Sequence, residues 1–291
     1  MGQVILVRKG SGEMEPFDPE KVRSAALRAG ADPELVEKVV ANVRNRVRNG
    51  VSTHEIYKIV FSLLKKEDEA SASRFGLKHA LFKLGPAGFT FETFFAEVLR
   101  EHDYKTELRK VLQGAAINHE IDIVAEDKSG RYMIECKYHN VIGLRCRAPD
   151  VLYTYARFLD LLEGAESGKC PKFDAPWLVT NTKFSSDVIA YANHKKIRLT
   201  GWGFPSERSL QHLIESRLLY PVTILNSLDK FAKTRLAEAN LMMVKDLLSH
   251  SEKELLQITG IPRNRMNSIL TEANAIAPME VLEKMHPEVH G

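Results

Sequence analysis

Alternating apolar and polar residues predict two β-strands near the middle of the chain. The strands are His119–Ala125 and Tyr132–Lys137, and turn-forming residues separate them. Read as a hairpin with a four-residue turn, the pattern places Asp122 directly opposite Glu135. Because side chains alternate between the two faces of a strand, Glu135 and Lys137 share one face. The apolar residues around them indicate that both strands are mostly buried.

Helical periodicity precedes the two strands, over Thr90–Arg100. Its apolar stripe consists of Phe91, Phe94, Phe95, Val98 and Leu99. At 100° per residue, Glu92 lies about 20° from Leu99, whereas Glu97 points the opposite way. We therefore expect Glu92 to face the sheet and Glu97 to face water. A second interpretation of Glu92 is an acidic residue that the helix dipole favours in the first turn.

Helices dominate the N-terminal residues 3–88. A short strand, Val4–Val7, leads through a turn into a helix with Asp18 as its N-cap and Pro19 at its first position. Ser52 and Glu55 form a capping box at the start of a later helix. The remaining helices are predicted over Pro33–Arg48, from the capping box to Leu64, and over Glu69–Leu84.

The pattern becomes helical again after Pro221. Ser251 is a predicted N-cap with Glu254 three residues later. A turn at Gly260-Ile261-Pro262 separates that helix from the last one. The C-terminal part is therefore predicted to consist of helices alone.

Composition limits the class of protein. A chain of 291 residues is long enough for two or three domains, and 44% hydrophobic with 27% charged residues is typical of soluble globular proteins. A net charge of +3 requires any nucleic-acid surface to be a local patch. The three cysteines, Cys136, Cys146 and Cys170, show no metal-binding spacing and favour a reducing, cytoplasmic compartment. The sequence contains no run of about 20 apolar residues, so no membrane span is predicted.

The two facing carboxylates indicate a metal site. Like charges directly opposite each other on neighbouring strands are unfavourable. A hard divalent cation held between the oxygens of Asp122 and Glu135 would remove that repulsion. The ammonium group of Lys137 would then steady an attacking water or a phosphate. The alternative is that both acids are exposed hairpin residues, each paired with a lysine.

The triad of Asp122 followed by Glu135-x-Lys137 resembles the PD-(D/E)xK nuclease core of Mrr-type restriction endonucleases. The resemblance extends over residues 88–215, from Phe91-Glu92 through Leu178–Ser185 to Ile197–Trp202. It implies a restriction-endonuclease-like α/β core with a mixed sheet and hydrolysis of DNA phosphodiesters.

The same resemblance implies roles for individual residues. Asp122, Glu135 and the carbonyl of Cys136 would hold Mg²⁺ or Mn²⁺, and Glu92, which matches the helix glutamate of the family, would help to complete the metal shell. The catalytic residues would be Asp122, Glu135, Lys137 and Glu92. Some relatives also use a polar residue, typically glutamine, on the next helix. The chain departs from that pattern, because Pro149–Leu162 has no obvious match and offers Tyr153, Tyr155 and Arg157.

The N-terminal segment resembles an ATP cone, a small nucleotide-binding domain. The resemblance depends on Val7-Arg8-Lys9-Gly10, Glu15-Pro16-Phe17-Asp18, Lys21-Val22, Val51–Leu64 and Arg74. It implies binding of ATP or dATP by Val7, Arg8, Lys9, Lys21, Thr53 and Arg74, with His54 and Lys78 nearby. Lys9, Lys21, Arg74 and Lys78 would contact the phosphates. No Walker A sequence occurs, which favours the nucleotide as a regulatory signal.

The C-terminal helices resemble a helix-hairpin-helix module, which binds phosphate through backbone amides. This chain has Pro262 where many members have glycine, and proline has no amide hydrogen to donate. Arg263 and Arg265 partly compensate for that loss. Two partners therefore remain open for this segment, duplex DNA or another protomer of a homo-oligomer.

Together the patterns predict a multi-domain α and α/β protein in three parts. These are an ATP cone at residues 1–87, a nuclease domain at 88–220 and a helix-hairpin-helix-like domain at 221–291. The predicted function is DNA cleavage regulated by ATP or dATP. The alternatives are a nucleotide-responsive DNA-binding regulator without cleavage, and a nuclease for branched DNA or RNA.

Overall fold

The computed structural model describes residues 4–285, so the outer ends of the first and last predicted domains lie outside the described residues. Its elements form a helical N-terminal part, a central α/β part and a helical C-terminal part. The prediction of a multi-domain α and α/β protein is confirmed. Within the described range, no helix is both long and apolar enough to cross a membrane.

The N-terminal part is a β-hairpin followed by helices around a valine-rich core. Strand β1 (Leu6–Arg8) pairs antiparallel with β2 (Met14–Pro16). The helices are α1 (Pro19–Arg28), α2 (Pro33–Arg46), α3 (Thr53–Glu67), α4 (Glu69–Phe75) and α5 (Leu77–Leu81). Asp18 caps α1 as predicted, because its carboxylate accepts the backbone N–H of Glu20. The predicted capping box of Ser52 and Glu55 is also present at α3.

The predicted helix over Glu69–Leu84 is divided at Gly76. The N–H of Gly76 bonds to the carbonyls of Ala72 and Ser73, which tightens the last turn of α4 before α5 begins. Glycine lowers helix stability because its backbone loses more conformational freedom than that of other residues. The break therefore occurs at the residue with the weakest helix propensity in this segment.

The central part is built on a mixed five-stranded sheet. Its strands are β3 (Lys105–Gln113), β4 (Asn118–Asp127), β5 (Gly130–Lys137), β7 (Ala175–Thr180) and β9 (Arg198–Thr200), adjacent in the order β3-β4-β5-β7-β9. The first three strands are antiparallel, whereas β5, β7 and β9 are parallel. Two short strands, β6 (Arg145–Cys146) and β8 (Lys183–Phe184), form a separate parallel pair.

Helices connect the strands of this sheet. α6 (Phe91–Arg100) precedes it, α7 (Ala148–Glu166) links β5 to β7, and α8 (Ser186–Lys195) leads into β9. The apolar stripe predicted for α6 is buried, including Phe94, Phe95 and Leu99. A short helix, α9 (Leu210–Glu215), follows the sheet.

The hairpin of β4 and β5 has the predicted register. Asp127 pairs with Gly130 and Ile123 with Ile134. The same register places Asp122 opposite Glu135 at the next position along the two strands. On the other side, β3 pairs with β4 on both sides of Asp122, and Arg109 between those pairs has a φ of +50°. A non-glycine residue in this left-handed region stores backbone strain of about 1–3 kcal/mol. The strain is therefore located beside Asp122.

The C-terminal helices pack with the N-terminal ones. They are α10 (Lys230–Glu238), α11 (Val244–Leu248), α12 (Glu252–Thr259), α13 (Arg263–Ile276) and α14 (Met279–Met285). Among the described residues, 4–83, the short segment Val141–Gly143 and residues 220–285 form one unit. The other unit consists of Leu84–Asn140 and Leu144–Leu219. The first and third predicted parts therefore share one unit, although they lie at opposite ends of the chain.

Arg74 connects the two ends of this unit. Its guanidinium group donates to the carbonyls of Ala29 (2.6 Å), Ala275 (3.3 Å) and Ile276 (3.1 Å). It also donates to the hydroxyl of Ser71 at 3.1 Å. Ala275 and Ile276 lie at the end of α13, where helix carbonyls have no partner within the helix. A cation at this position stabilises the end of the helix.

Replacing Arg74 by alanine is expected to lower the free energy of unfolding by about 2–3 kcal/mol, because several carbonyls lose a charged donor. Urea unfolding followed by circular dichroism measures this change. Arg28, an exposed arginine near the end of α1, is the control. Arg28→Ala should change the stability by less than about 0.5 kcal/mol. Equal stability of both variants would contradict the assigned role.

Candidate active site

The carboxylates of Asp122 and Glu135 lie side by side on β4 and β5, where little water reaches them. Glu135 is only 7% exposed. Burial raises the pKa of Glu135, and the negative charge of Asp122 raises it further. Burial likewise raises the pKa of Asp122, although a hydrogen bond from the backbone of Cys136 opposes this effect. The two acids therefore repel each other in a place that also disfavours their charge.

Asp122 is fixed by the backbone of the neighbouring strand. Its Oδ2 accepts the N–H of Cys136 at 2.7 Å. Within the described residues, Asp122 Oδ1 accepts no hydrogen bond, so this oxygen remains available for a ligand. Burial and the nearby carboxylates of Asp122, Glu92 and Glu135 raise the pKa of the Cys136 thiol well above its usual value. That thiol therefore stays protonated and is a poor metal ligand.

Arg157 on α7 binds the second carboxylate. One of its terminal nitrogens donates to Glu135 Oε2, and the Arg157 side chain is 9% exposed. The Nε atom of Arg157 is buried without a hydrogen-bond partner among the described residues. The sequence predicts the helix that bears Arg157, but it does not predict the contact between Arg157 and Glu135. The helical periodicity of this segment gave no signal for that contact, because the pair depends on how α7 crosses the sheet.

Lys137 lies between two carboxylates. Its Nζ is 4.0 Å from Glu135 Oε1 and 3.9 Å from Asp150 Oδ1. Asp150, which sequence reasoning missed, lies in the first turn of α7 and accepts the backbone N–H of Arg147 at 2.9 Å. The Lys137 side chain is 37% exposed, so its ammonium group borders the solvent. The predicted group of Asp122, Glu135 and Lys137 is therefore assembled on two neighbouring strands.

Glu92 lies in the first turn of α6, near this group but bound to another residue. Its Oε1 accepts from Arg109 at 3.1 Å, and Arg109 also donates to Thr90 and Thr93. The charge of Glu92 is close enough to raise the pKa of Asp122. A role for Glu92 as a metal ligand stays a prediction, and it would require the ion pair with Arg109 to open.

The chemistry of the donor set fits a hard cation with few protein ligands. Within residues 4–285, no three His, Cys, Asp or Glu side chains are grouped so that they could hold a metal ion together. A cation between Asp122 and Glu135 would therefore depend on two carboxylates, a backbone carbonyl and water. Magnesium commonly keeps several waters and uses one or two carboxylates.

The predicted nucleotide residues of the N-terminal part only partly come together. Lys9 and Lys21 both contact Glu15, at 2.7 and 3.2 Å. Burial raises the pKa of Glu15, but hydrogen bonds from the two lysines lower it more, so the pKa lies below its ordinary value. Val7 is buried in β1.

The other three predicted nucleotide residues lie in different surroundings. Arg8 and Thr53 are exposed, and the backbone N–H of Arg8 bonds to the carbonyl of Val51 at 2.9 Å. The guanidinium group of Arg74 is engaged by carbonyls and by Ser71, as described above. A phosphate contact by Arg74 stays a prediction and would require some of these bonds to exchange.

The arginines predicted to contact DNA from the C-terminal part are paired with acids. Arg263 contacts Glu252 at 3.0 Å, and Arg265 contacts Asp229 at 2.6 Å. Gly260 ends α12 with a φ of +65°, a conformation that favours glycine. The turn is therefore present, while the charge of both arginines is partly neutralised.

Three family models match the chain. A restriction endonuclease model matches residues 86–201, an ATP cone domain model matches residues 5–79, and a model described as AF1548-like, C-terminal matches residues 220–277. The predicted fusion of an ATP cone, a restriction-endonuclease-like domain and a C-terminal helical domain is confirmed.

Two relatives extend this result. A curated protein from Archaeoglobus fulgidus, named "Uncharacterized protein", is 39% identical over 184 residues, which are 62% of this chain and 98% of the relative. A solved structure, "Crystal Structure of Protein of Unknown Function AF1548", is 36% identical with a TM-score of 0.54. That match covers 68% of this chain and 97% of the solved one.

Proposed function

This chain belongs to the family of the Archaeoglobus fulgidus protein, and from its restriction endonuclease and ATP cone domains we propose that it is a metal-dependent DNA endonuclease whose activity responds to ATP or dATP. The observation that supports this proposal most directly is the group formed by Asp122, Glu135, Lys137 and Arg157. Two acids removed from most of the solvent and placed beside two cations are costly for a fold that gains nothing from them.

Each member of this group has a distinct part in the proposed reaction. Asp122 and Glu135 supply oxygens for Mg²⁺ or Mn²⁺, which when bound polarises a phosphate and makes water more acidic. Arg157 fixes the rotamer of Glu135 through its contact with Oε2. Lys137 provides positive charge at the solvent edge, where it stabilises the negative charge that gathers on a phosphate during hydrolysis.

An assay of plasmid DNA cleavage tests this function. We expect the purified protein to nick or linearise plasmid in Mg²⁺ or Mn²⁺, to lose this activity in EDTA, and to change its rate when ATP or dATP is added. DNA binding without cleavage under every condition would refute the nuclease and favour the nucleotide-responsive regulator. Cleavage restricted to branched DNA or to RNA would favour the other alternative.

ATP binding by a variant at Lys9 tests the proposed nucleotide site. Lys9→Ala is expected to weaken ATP binding about tenfold, because a charged contact to phosphate contributes roughly 1.5–3 kcal/mol. Isothermal titration calorimetry with ATP and with dATP measures the change. Lys38, an exposed lysine on α2, is the control, and Lys38→Ala should bind as the wild type does. Unchanged affinity in Lys9→Ala would remove Lys9 from the site.

A further inference from the structure

Tyr153 is an exposed aromatic residue at the edge of the proposed catalytic group, which consists of Asp122, Glu135, Lys137 and Arg157. It lies on α7 and is 55% exposed, whereas its neighbours Val151 and Thr154 are fully buried. Among the described residues its hydroxyl makes no hydrogen bond. The ring of Tyr153 is therefore accessible to a ligand at this edge of the site.

The ring of Tyr153 lies next to both cations of the site. The guanidinium carbon of Arg157 is 5.3 Å from the ring centroid, and Lys137 Nζ is 6.0 Å from it. Both cations also contact Glu135. An aromatic surface therefore adjoins the place where the phosphate would bind.

We propose that Tyr153 stacks on a nucleobase beside the scissile phosphate and makes unpaired DNA the preferred substrate. This inference rests on the proposed nuclease function. A base in single-stranded DNA offers its face to an aromatic side chain, and each such stack is worth about 1–3 kcal/mol. Bases inside a duplex are already stacked on both sides, and exposing one costs a few kcal/mol.

A purely electrostatic role for the ring leads to a different expectation. If Tyr153 only held Arg157 and Lys137 through cation–π contacts, its loss would weaken paired and unpaired DNA equally, since both present the same phosphates. Stacking instead affects unpaired DNA selectively. The adjacent Leu152 is 47% exposed and offers no aromatic face, so it is the matched control.

The experiment measures the binding of a fluorescent oligo-dT strand and of its duplex with oligo-dA, by anisotropy in EDTA. We expect Tyr153→Ala to weaken binding of the single strand about tenfold, within the range known for aromatic stacking, and binding of the duplex less than twofold. Tyr153→Phe and Leu152→Ala should bind both as the wild type does. In Mg²⁺, Tyr153→Ala should raise KM for the single strand with little change in kcat.

Two results would overturn the inference: equal weakening of both DNA forms by Tyr153→Ala, or failure of the wild type to bind the single strand. The binding assay needs no cleavage, so it also separates the two proposals. Selective weakening without cleavage by the wild type refutes the nuclease and leaves the stacking contact intact. Cleavage without selective weakening supports the nuclease and refutes the contact.

Discussion

Replacing Asp122 by asparagine is expected to reduce DNA cleavage by about a thousandfold or more and to stabilise the fold at neutral pH. The loss of activity follows because the amide contributes no negative charge to the cation, whose effect on the reaction is worth several kcal/mol. Asparagine has nearly the same shape, and its side-chain oxygen can still accept the N–H of Cys136. Folding should therefore be retained.

The gain in stability follows from the direction of the pKa shift. Burial raises the pKa of Asp122 in the folded protein, so the fold binds a proton more readily than the unfolded chain does. Stability of the wild type then falls as the pH rises from the ordinary carboxyl pKa through the raised one. The substituted asparagine is not ionised in either state and avoids this loss. We expect the variant to be more stable than the wild type at neutral pH, and this difference to disappear in acid.

Urea unfolding between about pH 4 and pH 8 measures the gain in stability of Asp122→Asn, and plasmid cleavage measures its loss of activity. Asp127, on the same strand, is the control. Burial raises the pKa of Asp127, but hydrogen bonds from Ser129 lower it more, so its pKa lies below the ordinary value. Asp127→Asn should leave cleavage intact and should not stabilise the protein. Normal cleavage by Asp122→Asn would remove this residue from the catalytic group.

The parts of this site that the sequence predicts are those fixed by local geometry. Strand alternation and the length of the turn determine which residues of β4 and β5 are opposite each other, so they predict that Asp122 and Glu135 lie together. Helical periodicity likewise directs Glu92 toward the sheet. These relations involve neighbours in sequence or a single short turn, and no distant contact can change them easily.

The parts that the sequence did not predict depend on distant contacts. Arg157 reaches Glu135 only because α7 crosses the sheet between two parallel strands, and Asp150 approaches Lys137 for the same reason. Arg74 was predicted as a phosphate ligand, and the structure directs it to the end of a helix two hundred residues later. A basic residue in sequence does not reveal whether its partner is a ligand or a carbonyl.

Arg157→Met is expected to lower the free energy of unfolding by about 3–5 kcal/mol, because it leaves Glu135 buried without its closest cation. The double variant Arg157→Met with Glu135→Gln should recover much of this loss, since neither side chain is then charged. Urea unfolding of the wild type, the two single variants and the double variant gives the coupling energy between Arg157 and Glu135. Arg131→Met is the control, because Arg131 and Glu126 are 36% and 48% exposed and contribute less than about 1 kcal/mol.

Arg157 should also affect the pH dependence of cleavage. Its charge lowers the pKa of Glu135 and so opposes the effects of burial and of Asp122. Without Arg157, Glu135 retains its proton to a higher pH, and it cannot bind a cation while protonated. The rise of cleavage with pH should therefore shift to higher pH in Arg157→Met, whereas a residue that only supports the fold would lower the rate equally at every pH. If the pH dependence of cleavage is unshifted while the stability falls strongly, Arg157 only supports the fold.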